Sequence, residues 1–134
     1  MKAFDTPVLL DLLRGAPSAR KFVRSLGNEE IATTELNLWE LGVLAVQDKS
    51  PGRERRLAAL GRLRRKLLVL PIDARSVEAA LRLTPTASRS ALIRGTLEAH
   101  GCTEWVTVRD VASPTARGPL RIVEYSRKGA NRVK

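Results

Sequence analysis

The stretch "KAFDTPVLLDLLRG" (residues 2–15) places a carboxylate where a short apolar segment turns into a helix-like run. Lys2 to Phe4 reads as a strand. Val8 to Leu13 reads as a helix, closed by Gly15-Ala16-Pro17. Asp5 falls between them, followed by Thr6 and Pro7. An Asp or Thr ahead of an early helical Pro is a helix-start signal, which makes Asp5 a cap. The carboxyl end of a parallel strand is also where open α/β sheets place their sites, which makes Asp5 a ligand. On this stretch alone the cap is the favoured reading.

Outward from there, strands and helices alternate. "SARKFVRSLG" (residues 18–27) carries apolar residues at helical spacing and stops at Gly27. Ile31 to Thr33 reads as a short strand, and a helix follows through Leu36, Trp39, Leu41, Leu44 and Ala45. "SPGRERRLAALGRLRRKL" (50–67) is a basic helix with a Leu57, Leu60, Leu63 and Leu67 stripe. "LLVLPI" (67–72) reads as a buried strand, and Asp73 as the cap of the helix "DARSVEAALRL" (73–83). "RSALIRGTLEAHG" (89–101) is a helix ending at Gly101. "EWVTV" (104–108) and "LRIVEY" (120–125) are strands around a loop at 109–119. This alternation predicts an α/β fold with three layers, α/β/α, around a central, mostly parallel sheet. Residues 1–125 are expected to form a single domain, and 126–134 a basic tail that frays.

Composition narrows the partners. With 24 basic residues against 14 acidic ones, the chain carries a formal charge of +10, which points to a polyanion such as nucleic acid. The alternative is an Arg-rich solvated surface. A single cysteine, Cys102, rules out an intramolecular disulfide and any multi-cysteine zinc site, and it reads as core filler. No glycine-rich phosphate loop and no helix-turn-helix signature are present. No apolar run is long enough to span a membrane and no signal peptide is evident, so a soluble, cytoplasmic protein without membrane partners is expected.

Three acids stand out. Asp5 ends the first strand. Glu40 lies in an otherwise apolar helix, one turn from Leu36 and Leu44, and is expected to share a face with core residues. Asp110 follows the strand "EWVTV". A carboxylate facing a core needs a partner, a cation or a raised pKa. Three unrelated roles (a cap, a salt-bridged helix residue and a loop acid) remain the alternative to one site.

The segments "FDTPVLLDLLRG" (4–15), "TTELNLWELGVLA" (33–45), "LIRGTLEAHG" (92–101) and "VTVRD" (106–110), in this order, resemble the successive motifs of PIN-domain ribonucleases, whose small single-domain members are the VapC-type toxins. The resemblance implies a metal-dependent endoribonuclease using Mg²⁺ or Mn²⁺, with Asp5, Glu40 and Asp110 as catalytic metal ligands and Thr6 beside them. It also implies RNA as substrate, an antitoxin protein as partner, and a homodimer. Three departures matter. Ser90 stands where the family carries a third acid, and reads instead as a helix cap. Pro7 replaces a small polar residue. "VTVRD" has one residue more than the usual spacing. The alternative is therefore a degenerate PIN domain that binds RNA or protein without cleavage. Candidate contacts for RNA phosphates are Arg53, Arg56, Arg62 and Arg65 on the basic helix, and Arg94 and Arg109 nearer the acids.

Overall fold

The computed structural model describes residues 1–83, 87–108 and 120–127. The elements run β1 (Lys2–Phe4), α1 (Thr6–Leu13), α2 (Pro17–Leu26), β2 (Ile31–Thr34), α3 (Glu35–Gln47), α4 (Arg53–Lys66), β3 (Leu68–Leu70), α5 (Ala74–Leu83), α6 (Arg89–Ala99), β4 (Glu104–Val108) and β5 (Arg121–Tyr125). The five strands form one sheet in the order β3-β2-β1-β4-β5, and every pairing is parallel. This is the α/β/α arrangement expected from the alternation of the sequence. The expected loop at 109–119, and residues 128–134 of the expected tail, lie outside the described residues.

Strand alternation sorts the core into two layers. Ala3 and Trp105 join a cluster with Ile93 and Leu97 of α6. Their strand neighbours Phe4 and Val106 join the opposite cluster, with Val8 and Leu9 of α1 and Leu41 of α3. With aromatics at 4% of the chain, aliphatic side chains fill most of both layers. The helices α5 and α6 pack unusually close. A Cβ on Gly95 would lie 2.5 Å from the Ala80 nitrogen and 2.6 Å from the Ser76 oxygen, so only glycine fits this crossing.

Three expectations need correction. The segment at β3 is an edge strand, with Leu68 exposed and Leu70 buried, because among the described residues nothing pairs beyond it in the sheet. The leucines of α4 are half-buried rather than buried. Leu60, Leu63 and Leu67 lie against one core cluster from the side, and no residue of α4 is fully covered. The cap of α6 is Ser88, whose Oγ accepts from the Ala91 N–H at 3.1 Å, and Ser90 lies inside the helix.

The topology creates the site. From central β1 the chain moves to β2 and β3 on one side, then returns to β4 and β5 on the other. Such a reversal leaves a crevice at the carboxyl ends of the two strands that flank it. Asp5 sits there, its N–H donating to the Val106 carbonyl at 2.9 Å.

Candidate active site

Asp5 fills the capping role that its sequence position suggested. It is the N-cap of α1, and its Oδ1 accepts from the Thr6 N–H at 2.9 Å. Pro7, next in the helix, has no N–H to offer a cap. Asp5 is 4% exposed, so the charge of its carboxylate must be met by donors within the fold. Asn37 of α3 supplies one, its Nδ2 donating to Asp5 Oδ1 at 3.0 Å. Arg89 supplies another, its Nη2 donating to the same oxygen at 3.0 Å.

Asn37 is placed by its own helix end. Thr34 caps α3, and Thr34 and Asn37 satisfy one another's backbone in a reciprocal capping box. The box leaves the Asn37 amide pointing at Asp5 and at Thr6 Oγ1, the latter also at 3.0 Å. Thr6 passes the contact on, donating its hydroxyl to Glu40 Oε1 at 2.6 Å.

Glu40 is thus brought to Asp5, one turn further along α3 than Asn37. It does not face the core as the sequence suggested. Leu44, one turn beyond it, is exposed, as is neighbouring Trp39 at 66%. The core stripe of α3 runs instead through Asn37, Leu41 and Ala45, so Glu40 takes the rim. Burial pushes the Glu40 carboxyl up, but hydrogen bonds from Arg89 and Thr6 and the Arg89 charge outweigh it and hold it below its ordinary value.

Arg89, the first residue of α6, closes the cluster. Its Nε and Nη2 grip Glu40, with Nη2 at 2.8 Å from Oε1, while Nη2 also reaches Asp5. Thr6 Oγ1 lies 3.2 Å from the same Nη2. Three oxygens from two elements thus surround one cationic nitrogen. The guanidinium sits in a cradle of hard oxygen donors, the donor class that Mg²⁺ and Mn²⁺ take. No group of three or more His, Cys, Asp or Glu side chains forms a metal cluster among the described residues.

Beside the cradle runs a groove of about 590 Å³. Pro7 and Leu10 of α1 and Trp39, Val43 and Leu44 of α3 give it an apolar wall. Thr6, Glu40, Arg89 and Arg127 supply its polar groups.

Of the residues singled out from sequence, Asp5, Thr6 and Glu40 converge. Asp110 and Arg109 lie outside the described residues. Ser90 is not part of the cradle, and its neighbour Arg89 reaches the acids from α6 instead. Arg94 is no surface contact for RNA. It is 5% exposed, with its guanidinium 5.9 Å from the Trp105 ring centroid. Arg53 donates to the Val46 carbonyl, and Arg56 pairs with Asp48, so both brace the α3–α4 connection. Arg62 and Arg65 are exposed on α4. Asn37 and Arg89 were missed. The Thr34-x-x-Asn37 spacing could have exposed the first as a capping pair, whereas one arginine among so many carries no mark.

The PIN domain family model matches residues 2–110. The chain belongs to the PIN domain family. This PIN domain is similar in structure to the VapBC2 complex of Rickettsia felis bound to a DNA fragment from its promoter. The TM-score is 0.73 at 15% identity, over 92% of this chain and 98% of that one. A DNA-bound VapBC of Salmonella typhimurium gives a TM-score of 0.65 at 20% identity, covering 92% and 96% of the two chains. A toxin–antitoxin complex of Klebsiella pneumoniae gives 0.62 at 23% identity, covering 80% and 85%. At these identities the likeness establishes the shared fold. No curated protein matches the chain in sequence. No helix among the described residues is long and apolar enough to cross a membrane.

Proposed function

We propose that this PIN domain is a divalent-metal-dependent endoribonuclease and the toxin of a toxin–antitoxin pair. The observation that carries the reading is the convergence of Asp5 and Glu40 at the β1/β4 crevice, around one cationic nitrogen. Family membership and the toxin–antitoxin complexes among its structural neighbours support it.

In this reading Asp5 and Glu40 hold Mg²⁺ or Mn²⁺, with Asp110 completing the set from the segment after β4. The ion, when bound, supplies Lewis acidity, lowering the pKa of water and neutralising charge on a scissile phosphate. The protein's own residues do the rest. Asn37 fixes the Asp5 carboxylate, so that the ligand needs no reorganisation. Thr6 orients Glu40 through its hydroxyl. RNA phosphates approach along the basic surface, with Arg62 and Arg65 the exposed contacts on α4.

The groove beside the cradle suits an antitoxin segment, since an apolar wall ending in charged groups accepts an amphipathic chain. A homodimer working in the cytoplasm completes the proposal. Residues 1–125 would be its one domain, followed by the tail from Ser126, whose second residue, Arg127, is anchored on Asp11.

A second reading has its own support. Arg89 takes the acid oxygens, and α6 brings no carboxylate to the cradle, which accords with a domain that binds RNA without cutting it. Incubation of purified protein with a structured RNA, with Mg²⁺, Mn²⁺ or chelator, separates the two. Metal-dependent cleavage that disappears in Asp5→Asn supports the nuclease. RNA binding without cleavage under every condition supports the second reading.

A further inference from the structure

We infer that Arg89 is a resident cation of the acidic cradle, and that a divalent ion enters only by displacing its guanidinium. The inference rests on reading Asp5 and Glu40 as cation ligands. Its observations are the placement and the charge of one side chain.

The cradle's own groups, two carboxylates and one guanidinium, sum to one negative charge. Asp5 and Glu40 share a single arginine, and one of its nitrogens, Nη2, touches both at 3.0 and 2.8 Å. That nitrogen lies between the two acids, within hydrogen-bond reach of an oxygen of each, so it occupies the space a cation shared by both would need. The two cations cannot share the space, and at such separations they repel strongly. The competition is direct and reciprocal: whatever strengthens the arginine's grip weakens the ion's.

Arg89 is built to leave. Its side chain is 41% exposed, whereas that of Asp5 is 6% exposed. The ligand is thus held inside the fold and the plug is anchored at its edge. As the first residue of α6 it can swing into solvent without unpacking the helix, because Ile93 and Leu97 further along carry the core contacts. The Asp5 carboxylate stays braced by Asn37 and by the Thr6 N–H when the arginine departs. The acid pair therefore keeps its shape in both states, and only the cation changes.

The bidentate grip is specific to arginine. A lysine at this position carries the same charge as a point, and cannot offer Nε and Nη2 to Glu40 together with Asp5. Arg89→Lys should therefore plug the cradle less well, and Arg89→Gln should not plug it at all.

The test is calorimetric titration of the full chain with Mn²⁺ alone and Mg²⁺ alone, for wild type, Arg89→Lys and Arg89→Gln. The expected result is an affinity rising in that order, by about tenfold or more between wild type and Arg89→Gln. Equal or weaker binding by Arg89→Gln overturns the inference, and so does failure of all three to bind either ion. Should Arg89→Gln not fold, the wild type still decides. The Arg89 Nε–H resonance, assigned by its loss in Arg89→Lys, should move towards the position of a solvated arginine as Mg²⁺ saturates the site. Saturation with that resonance unmoved overturns the inference. Tighter metal binding without RNA cleavage in any variant would uphold the plug while removing the nuclease reading, so the two fail separately.

Discussion

Two carboxylates of the α1 region, Asp5 and Asp11, are equally buried, both 4% exposed, and each meets an arginine. Yet they build different things. Asp11 accepts the Tyr125 hydroxyl at 2.9 Å and the Arg127 Nε at 2.9 and 3.1 Å. The carboxylate, the hydroxyl and the guanidinium together tie α1 to β5 and to Arg127 just beyond it. Burial and the Asp11 hydrogen bond push the Tyr125 hydroxyl above its ordinary pKa, so it stays a donor. Asp5 shares its arginine with Glu40, and the surplus charge faces a groove. Burial is the same at both acids; the number of carboxylates that share the arginine is not.

The sharpest way to break this comparison is to remove one carboxylate from each cluster and measure both activity and stability. Asp5→Asn should lower metal-dependent RNA cleavage by about 100-fold or more, because a neutral amide cannot replace an anionic ligand. Asp11→Asn should leave the rate per folded molecule within about threefold, corresponding to less than ~0.7 kcal/mol in the barrier. Equal losses of rate in the two variants would erase the distinction.

Stability should respond in the opposite order. Asp11→Asn leaves Arg127 without its counter-charge and weakens the bond from Tyr125. It is expected to lower unfolding free energy by about 2 kcal/mol in urea titrations. The partly exposed arginine keeps this below the value for a fully buried pair. Glu40→Gln removes charge from a cluster with too much of it, and should change stability by less than about 1 kcal/mol, in either direction. A loss larger than that of Asp11→Asn would mean that the cradle is the structural clamp.

Asn37→Ala sharpens the comparison from inside the cradle. It removes a donor to Asp5 and half of the α3 capping box, with an expected loss of about 1–2 kcal/mol. If Asn37 merely caps the helix, Asn37→Asp should restore stability through its own capping oxygen. If it also braces Asp5, the added charge should prevent that rescue, and thermal denaturation of the two variants tells them apart.

The smallest expected effect concerns acid. The Glu40 carboxyl is held below its ordinary value of 4.5. The stability it contributes is present above that value and lost as pH falls through the lower value of the folded state. Glu40→Gln should therefore flatten the decline of Tm on the acid side of 4.5, by a modest amount because Glu40 is partly exposed. Superimposable Tm profiles would show that the Arg89 contact adds nothing to the folded state.

What the sequence determined by itself was the alternation. Strand and helix lengths, the Asp5-Thr6-Pro7 start of α1 and the Gly101 stop of α6 are local signals, and local signals specify local structure. They were enough to place Asp5 at the end of a parallel strand. The orientation of Glu40 was not local. Helical spacing allows several adjoining faces on an apolar helix, and packing of Leu41 and Ala45 against the sheet chose the one that leaves Glu40 at the rim. The roles of Arg89 and Arg94 were less legible still. They lie on one helix, five residues apart, in a chain rich in arginine. Only the tertiary structure sends one to two carboxylates and the other beneath the sheet to Trp105. Arg89 meets Asp5 from 84 residues away and Arg94 lies over Trp105 from 11 away, and no pattern within a helix encodes a contact made across the fold.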